Sequence, residues 1–154
     1  MLSAATAASA ANLKNEGFET GDFSLWAISG EGWRVSPQKD DSYKGKFGAV
    51  NDVGVGGGDE YRIVSQQIKV QAGKKYELSV WVRTACIEDT ECFLEVQFLD
   101  KEGAVLRQFQ SKHIIGDQEF TLLTIENMVA PDKSSSVSVR GVVHVLSPPV
   151  DNID

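Results

Sequence analysis

Two cysteines, four prolines and two histidines among 154 residues exclude several common chemistries. Two thiols without a neighbouring His or Cys make a poor zinc site. Neither His-Glu-x-x-His nor Gly-x-Ser-x-Gly occurs, so no metallopeptidase helix and no serine nucleophile elbow is present. There is no run of about 18 apolar residues, so nothing in the chain reads as a membrane-spanning helix. No Lys/Arg run occurs either. The 22 acidic against 15 basic residues leave a net charge of -7, which disfavours nucleic acid and anionic membrane surfaces. A neutral or cationic ligand, or a metal ion, suits that balance better. Helical periodicity is missing too: no long segment repeats apolar residues at i, i+3, i+4, i+7. The glycine-rich stretch Gly54–Gly58 is a loop, not a phosphate cradle, because no Lys-Ser/Thr and no helix follow it.

What is present is alternation. With 42% hydrophobic and 24% charged residues the chain is ordinary and globular, and its length suits one domain. Period-two runs cover Arg62–Val70, Tyr76–Arg83, Phe93–Asp100, Val105–Gln110, Phe120–Val129 and Ser136–Leu146, with shorter ones at Trp33–Ser36, Gly48–Asn51 and Val150–Ile153. Turn residues separate them every ten or so positions. Nine or ten short strands predict an all-β fold, a two-sheet antiparallel β-sandwich. The domain is expected over residues 12–154. The Ala/Ser/Thr-rich residues 1–11 read as a signal remnant, a linker or an added tail, Ala-Ser-Ala at 8–10 resembling a cleavage site.

The stretch Asn15-Glu16-Gly17-Phe18-Glu19-Thr20-Gly21-Asp22-Phe23-Ser24-Leu25-Trp26 sets two large apolar anchors, Phe18 and Trp26, among carboxylates and turn residues. A loop carboxylate beside backbone carbonyls is the ingredient list for calcium. A second acidic segment closes the chain, Val150-Asp151-Asn152-Ile153-Asp154, and Glu19 meets Asp151 if first and last segments pair. Cys86 and Cys92 flank Ile-Glu-Asp-Thr-Glu between two strands. They either close a disulfide that staples the loop, implying an oxidising compartment, or stay reduced and buried.

Alternation assigns faces. Tyr76, Leu78, Val80 and Val82, with Leu94, Val96, Phe98, Val137, Val139, Val143 and Val145, form the core. The opposite face then carries Ser79, Trp81 and Arg83, Glu95 and Gln97, and Ser138, Arg140 and His144. One large aromatic among planar polar groups reads as a sugar platform, the ring stacking on a pyranose. The plain alternative is Trp81 under a loop and Arg83–Glu95 as a cross-strand ion pair.

Several of these stretches resemble a known family. Asn15–Gly21 with Trp26 resembles the Asn-x-Gly-Phe-Glu-x-Gly…Trp opening of jelly-roll carbohydrate-binding modules of the family 4, 9 and 22 group, in the galactose-binding-domain-like superfamily. Tyr43–Ala49, Ser65–Arg83, Ala130-Pro131 and Val150–Ile153 are similar to its later landmarks, so the resemblance runs from Asn12 to Asp154. It implies a jelly roll with a structural calcium joining the N-terminal loop to the last strand. Carried over by position, Glu19 and Asp151 supply side-chain oxygens, and backbone carbonyls near Gly17 and Lys44–Lys46 complete the shell. Oxygen ligands at about 2.3–2.6 Å suit Ca²⁺. It also implies a ligand cleft across the concave sheet, which alternation fills with Trp81, Arg83, Glu95, Gln97, Arg140 and His144. Trp33 and Tyr43 add to one rim. The chain departs from the strongest glycan binders in showing no second aromatic on that face, and Pro148-Pro149 before the last strand is unusual.

The expected function is non-catalytic binding of a polysaccharide or oligosaccharide. The module would be a monomer tethered to other domains, a glycoside hydrolase for example, in a secreted or cell-surface protein. The alternative is an adhesion or spacer module of the same fold in an extracellular protein. No residue is assigned to catalysis, since each histidine, His113 and His144, sits alone in a strand-like run.

Overall fold

The computed structural model describes residues 2–3 (backbone only), 13–53, 60–85 and 89–146. Eleven strands are present among these residues: β1 Leu2–Ser3, β2 Ala27–Ser29, β3 Trp33–Ser36, β4 Gly48–Asn51, β5 Tyr61–Lys69, β6 Lys75–Thr84, β7 Thr90–Leu99, β8 Val105–Gln110, β9 Ile114–Ile115, β10 Gln118–Val129 and β11 Ser136–Val145. A 3-10 turn at Lys39–Asp41 is the one helical element there. All pairings are antiparallel. They make a five-stranded sheet, β10-β6-β1-β4-β3, and a six-stranded sheet, β2-β5-β11-β7-β8 with β9 paired to β7. The all-β sandwich expected from alternation is the fold observed.

The strands form because apolar and polar residues alternate, and each sheet buries its apolar face on the other. The five-stranded sheet contributes Leu78, Val80 and Val82 from β6, and Leu123 and Ile125 from β10. The six-stranded sheet contributes Val64, Leu94, Val96, Phe98, Val137, Val139 and Val143. Each such side chain, fully buried, is worth roughly 1.5–3 kcal/mol. The Asn15–Trp26 loop closes one side of this core. Phe18 is buried and its ring lies 5.7 Å from Phe23 and 5.2 Å from Trp26. The Trp26 indole N–H donates to the Asn15 carbonyl (2.8 Å), and Asn15 Nδ2 donates to the Ser24 carbonyl (2.8 Å). The two anchors are therefore structural.

Three expectations need amending. Leu2–Ser3 lies in the segment read as a tail, yet its backbone bridges β4 and β6. The strands β2 and β9 are too short to leave a periodic signal. The third concerns the faces and matters most. β6 belongs to the five-stranded sheet, whereas β7 and β11 belong to the six-stranded one. Their core residues meet in the middle, so their outward residues point away from each other. The single polar-aromatic face expected from alternation is two faces on opposite sides of the sandwich. The expected last strand at 150–153, with Asp151, and Cys86 of the expected bridge lie outside the described residues.

Candidate functional site

On the outer face of the six-stranded sheet the strand registers bring polar side chains into rows. Arg140 of β11 sits opposite Glu95 of β7, which sits opposite Gln110 of β8. The bonds follow: Arg140 Nη1 donates to Glu95 Oε1 (2.9 Å), and Gln110 Nε2 donates to Glu95 Oε2 (2.8 Å). One row further, Gln97 lies opposite Gln108 and donates to its Oε1 (2.9 Å). Glu95 and Arg140 are largely covered, so their charges cancel where water screens little. With Tyr61, Ile63, Phe93 and Val142 they line an open groove of ≈ 420 Å³.

Rings border it. The Tyr61 ring stacks on His144 (4.3 Å, 6° between planes), its register partner across β5 and β11. The Phe93 ring stacks on His113 (4.0 Å, 8°). Tyr61 is 48% exposed, so it keeps surface for an incoming ligand. Glu91 joins the two imidazoles: His113 Nδ1 lies 2.9 Å from Oε2 and His144 Nδ1 3.0 Å from Oε1. Burial pulls the His144 pKa down, but its bonds to Glu91 and Glu60 outweigh that and lift it above the ordinary histidine value. Burial likewise raises Glu91, and the bonds from His144 and His113 more than reverse it.

The outer face of the five-stranded sheet is built differently. Trp81 of β6 carries the Tyr43 ring stacked on it (3.8 Å, 18°), with Phe120 of β10 tilted against Tyr43 (5.6 Å). Arg83 donates to the Asp40 carbonyl (3.2 Å) and reaches Glu119 at 3.8 Å. The Arg83–Glu95 pair weighed as the plain alternative is thus replaced by two pairs, Arg83–Glu119 and Arg140–Glu95, one per face. Trp33 of β3 packs against the core, its indole N–H without a partner among the described residues.

Of the expected binding residues, then, Glu95, Gln97, Arg140 and His144 come together. Trp81, Arg83 and Tyr43 gather on the opposite face, and Trp33 joins neither group. The aromatic and amide groove residues not anticipated are Tyr61, Phe93, Gln108 and Gln110. Three had a signal: Phe93 has the parity of Glu95 and Gln97, and Gln108 and Gln110 alternate along β8. Tyr61 fell just outside the predicted strand. Tyr61 is an exposed aromatic at this face that alternation did not anticipate, whereas Phe93 is buried beneath His113.

A larger hollow of ≈ 800 Å³ opens beside the turns at Asp100–Glu102 and Lys133–Ser135. It has charged and hydroxyl groups but no ring, which makes it a poorer platform for a sugar.

At the expected metal position, Glu19 lies against Gly17 and Gly45, and a Cβ on Gly45 would overlap its carboxylate. The Lys46 backbone N–H donates to both carboxylate oxygens (3.1 and 3.3 Å). Glu19, Gly17 and Gly45–Lys46 are therefore adjacent, joined through the Glu19 carboxylate and the Lys46 N–H. Three or more His, Cys, Asp or Glu side chains do not form a metal cage among the described residues. Cys92 is a buried free thiol packed in the core, and burial pushes its pKa up to about 11.

A family model described as carbohydrate binding domain, CBM_4_9, matches residues 10–119. No curated protein sequence matches the chain. Among solved structures, TmCBM61 in complex with β-1,4-galactotriose superposes with a TM-score of 0.64 at 23% identity, over 91% of this chain and 91% of that one. The enzymatically active domain of tailspike protein 4 from bacteriophage CBA120 gives 0.67 at 16% identity, over 88% of this chain and 19% of that one. The CBM22-1–GH10 modules of Clostridium thermocellum endo-1,4-β-D-xylanase 10B, complexed with xylohexaose, give 0.54 at 15% identity, over 89% of this chain and 29% of that one. At these identities the likeness shows the fold. This chain spans a small part of the tailspike and xylanase chains.

Proposed function

Because the chain belongs to the carbohydrate-binding domain family matched over residues 10–119, we propose that it binds a polysaccharide or oligosaccharide in the groove of the six-stranded sheet. Domains of this family bind carbohydrate and are non-catalytic. The observation that carries the site is the meeting of exposed ring surface at Tyr61 with a row of amide and charged groups, Gln108, Gln110, Glu95 and Arg140, over one open groove, with Gln97 bonded to Gln108 beside it.

The groups would divide the work by chemistry. A pyranose presents C–H groups on its faces and hydroxyls around its rim. The C–H face would rest on the Tyr61 ring, and the planar amides would exchange hydrogen bonds with the hydroxyls. Arg140 and Glu95 hold each other in place before the sugar arrives, so little is spent on ordering them. Sheet-borne side chains of this kind make a rigid site of modest affinity, and tethering to a second domain would add avidity. The structures of similar fold include modules carried in longer chains. A tethered, secreted or cell-surface protein is the setting we propose.

The test is retention on a panel of immobilised glycans that includes β-1,4-galactan and xylan. We expect retention of at least one polymer class by the wild type, lost in Arg140→Ala and weakened in Tyr61→Ala. A folded wild-type protein that retains none would overturn the reading in favour of an adhesion or spacer module.

We further propose a structural calcium held by Glu19 and Asp151 with backbone oxygens of Gly17 and Lys44–Lys46. The donors are all oxygen, as calcium prefers, and Gly17 and Gly45 lie against the Glu19 carboxylate, which a side chain at Gly45 would overlap. The ion would tie the Asn15–Trp26 loop to the chain's last segment. A ligand at 100 times its dissociation constant stabilises by about 2.7 kcal/mol. Chelation should therefore lower the melting temperature by several degrees, with calcium restoring it; an unchanged melting curve would refute the site.

A further inference from the structure

The chain's two imidazoles meet at one carboxylate, at the end of the groove, and their hydrogen bonds count protons. His144 Nδ1 faces Glu91 Oε1 (3.0 Å) and its Nε2 faces Glu60 Oε1 (3.1 Å). Ionised carboxylates only accept, so both ring nitrogens must donate. His113 Nδ1 faces Glu91 Oε2 (2.9 Å), and its Nε2 faces Gln110 Oε1 (3.1 Å). The Gln110 amide has no freedom to turn round, because its nitrogen already donates to Glu95 Oε2 (2.8 Å). His113 must then donate from both nitrogens as well. The set of bonds is complete only when each ring is an imidazolium.

Both rings also support the groove by stacking, His144 on Tyr61 and His113 on Phe93. We propose that His113, His144 and Glu91 are positioning residues that hold Gln110 and Tyr61 for the glycan only while both rings carry both protons, so that affinity falls as pH rises from mildly acidic to alkaline. The inference rests on the groove being the glycan site. Facing the rings are Glu60 just before β5, Tyr61 from β5 and Glu91 from β7, while Glu95 and, behind it, Arg140 connect through Gln110. Arg62 turns to the interior instead, where it donates to Asn51 Oδ1 (3.2 Å), and Lys112 beside His113 is exposed. The carboxylates therefore dominate around the pair, in keeping with the raised pKa of His144. When a proton leaves His113, its Nε2 turns from donor to acceptor and meets the Gln110 carbonyl oxygen lone pair to lone pair. Gln110 must then rotate or move, breaking its bond to Glu95. Loss of one such hydrogen bond weakens binding about five-fold.

The experiment pairs two readouts from pH 5 to 9. In the free protein, nitrogen-resolved NMR follows both imidazoles and the Gln110 side-chain amide. In parallel, retention on the glycan panel is measured for wild type, His113→Gln and His113→Gln/His144→Gln. We expect two fully protonated rings at the acid end and a Gln110 amide that shifts with the His113 titration. Binding should weaken about five-fold or more through that range, with a shallower slope in the single variant and none in the double. A Gln110 amide that ignores the titration, or a pH-independent wild-type affinity, overturns the inference and leaves the glycan groove standing. If no glycan is retained at any pH, the groove assignment itself fails. The NMR arm then still decides whether the histidines position Gln110.

Discussion

The outer faces of the two sheets both gather aromatic rings beside charged groups, but the rings serve different ends. On the five-stranded sheet Trp81 is covered by Tyr43, and Phe120 leans on that pair. Arg83 is held by the Asp40 carbonyl and Glu119. This stack fastens the 42–47 loop to the sheet. On the six-stranded sheet the rings of Tyr61 and Phe93 stack on histidines instead, and between them lies an open groove with a paired Arg–Glu at its floor. One face spends its aromatic surface on its own chain; the other leaves part of it for a ligand. A tryptophan on an outward strand position is thus no pointer to a sugar site until its neighbours are known.

The largest effect should come from Arg140→Ala. It leaves Glu95, a residue only 8% exposed, without its countercharge. Breaking one partner of a covered pair costs about 3 kcal/mol. Urea unfolding should show that loss together with abolished glycan retention. Adding Glu95→Gln should return most of the stability, because no buried charge remains, but not the binding. If Arg140→Ala unfolds no earlier than wild type, the floor of the groove is wetter than its geometry indicates.

Trp81→Ala comes next and separates the faces. Removing a half-buried indole and its stacking on Tyr43 should cost about 2 kcal/mol, below the range for a fully buried Trp. Retention should be unchanged once the protein is folded. A stable Trp81→Ala protein that no longer binds would transfer the sugar site to the five-stranded sheet. Tyr61→Ala is the mirror experiment: it should hardly move the unfolding midpoint, since Tyr61 is half exposed, while weakening binding about ten-fold, or 1.4 kcal/mol.

Much of this fold can be read without coordinates. β3, β4 and β8 run between the residues their alternation predicts, and the long strands β5, β6, β7, β10 and β11 differ by one to three residues at their ends. Core identities follow too, because within any strand parity separates inside from outside. Parity does not say in which sheet a strand lies. β6 and β7 follow closely in sequence and look like neighbours in a hairpin, yet the chain crosses from one sheet to the other between them. Crossing reverses the direction in which outward residues point, so Trp81 and Glu95, equivalent by alternation, end on opposite sides. The groove was half legible for the same reason. Glu95, Gln97, Arg140 and His144 share a sheet, so their common parity puts them on one face, whereas Gln110 and Tyr61 owe their places to register with β7 and β11. Register is a pairwise property that no single strand carries.

The smallest effect, and the sharpest test of how the two faces differ, is the dependence of stability on pH. His144 has its folded pKa above the ordinary value, so it contributes stability that is present below about 6.5 and lost as pH rises through the folded value. Glu91 has its folded pKa below the ordinary value. Its contribution is present above about 4.5 and lost as pH falls through that lowered value. The clamp should therefore hold best between those limits, near pH 5 to 6. Thermal midpoints measured across pH 3 to 9 should show a shoulder there that disappears in His144→Gln. The aromatic stack on the other sheet has no histidine, so Trp81→Ala should lower every midpoint while leaving the shoulder in place. If the shoulder survives in His144→Gln, proton sensitivity belongs to some other part of the chain, and the groove would not be what distinguishes the two faces.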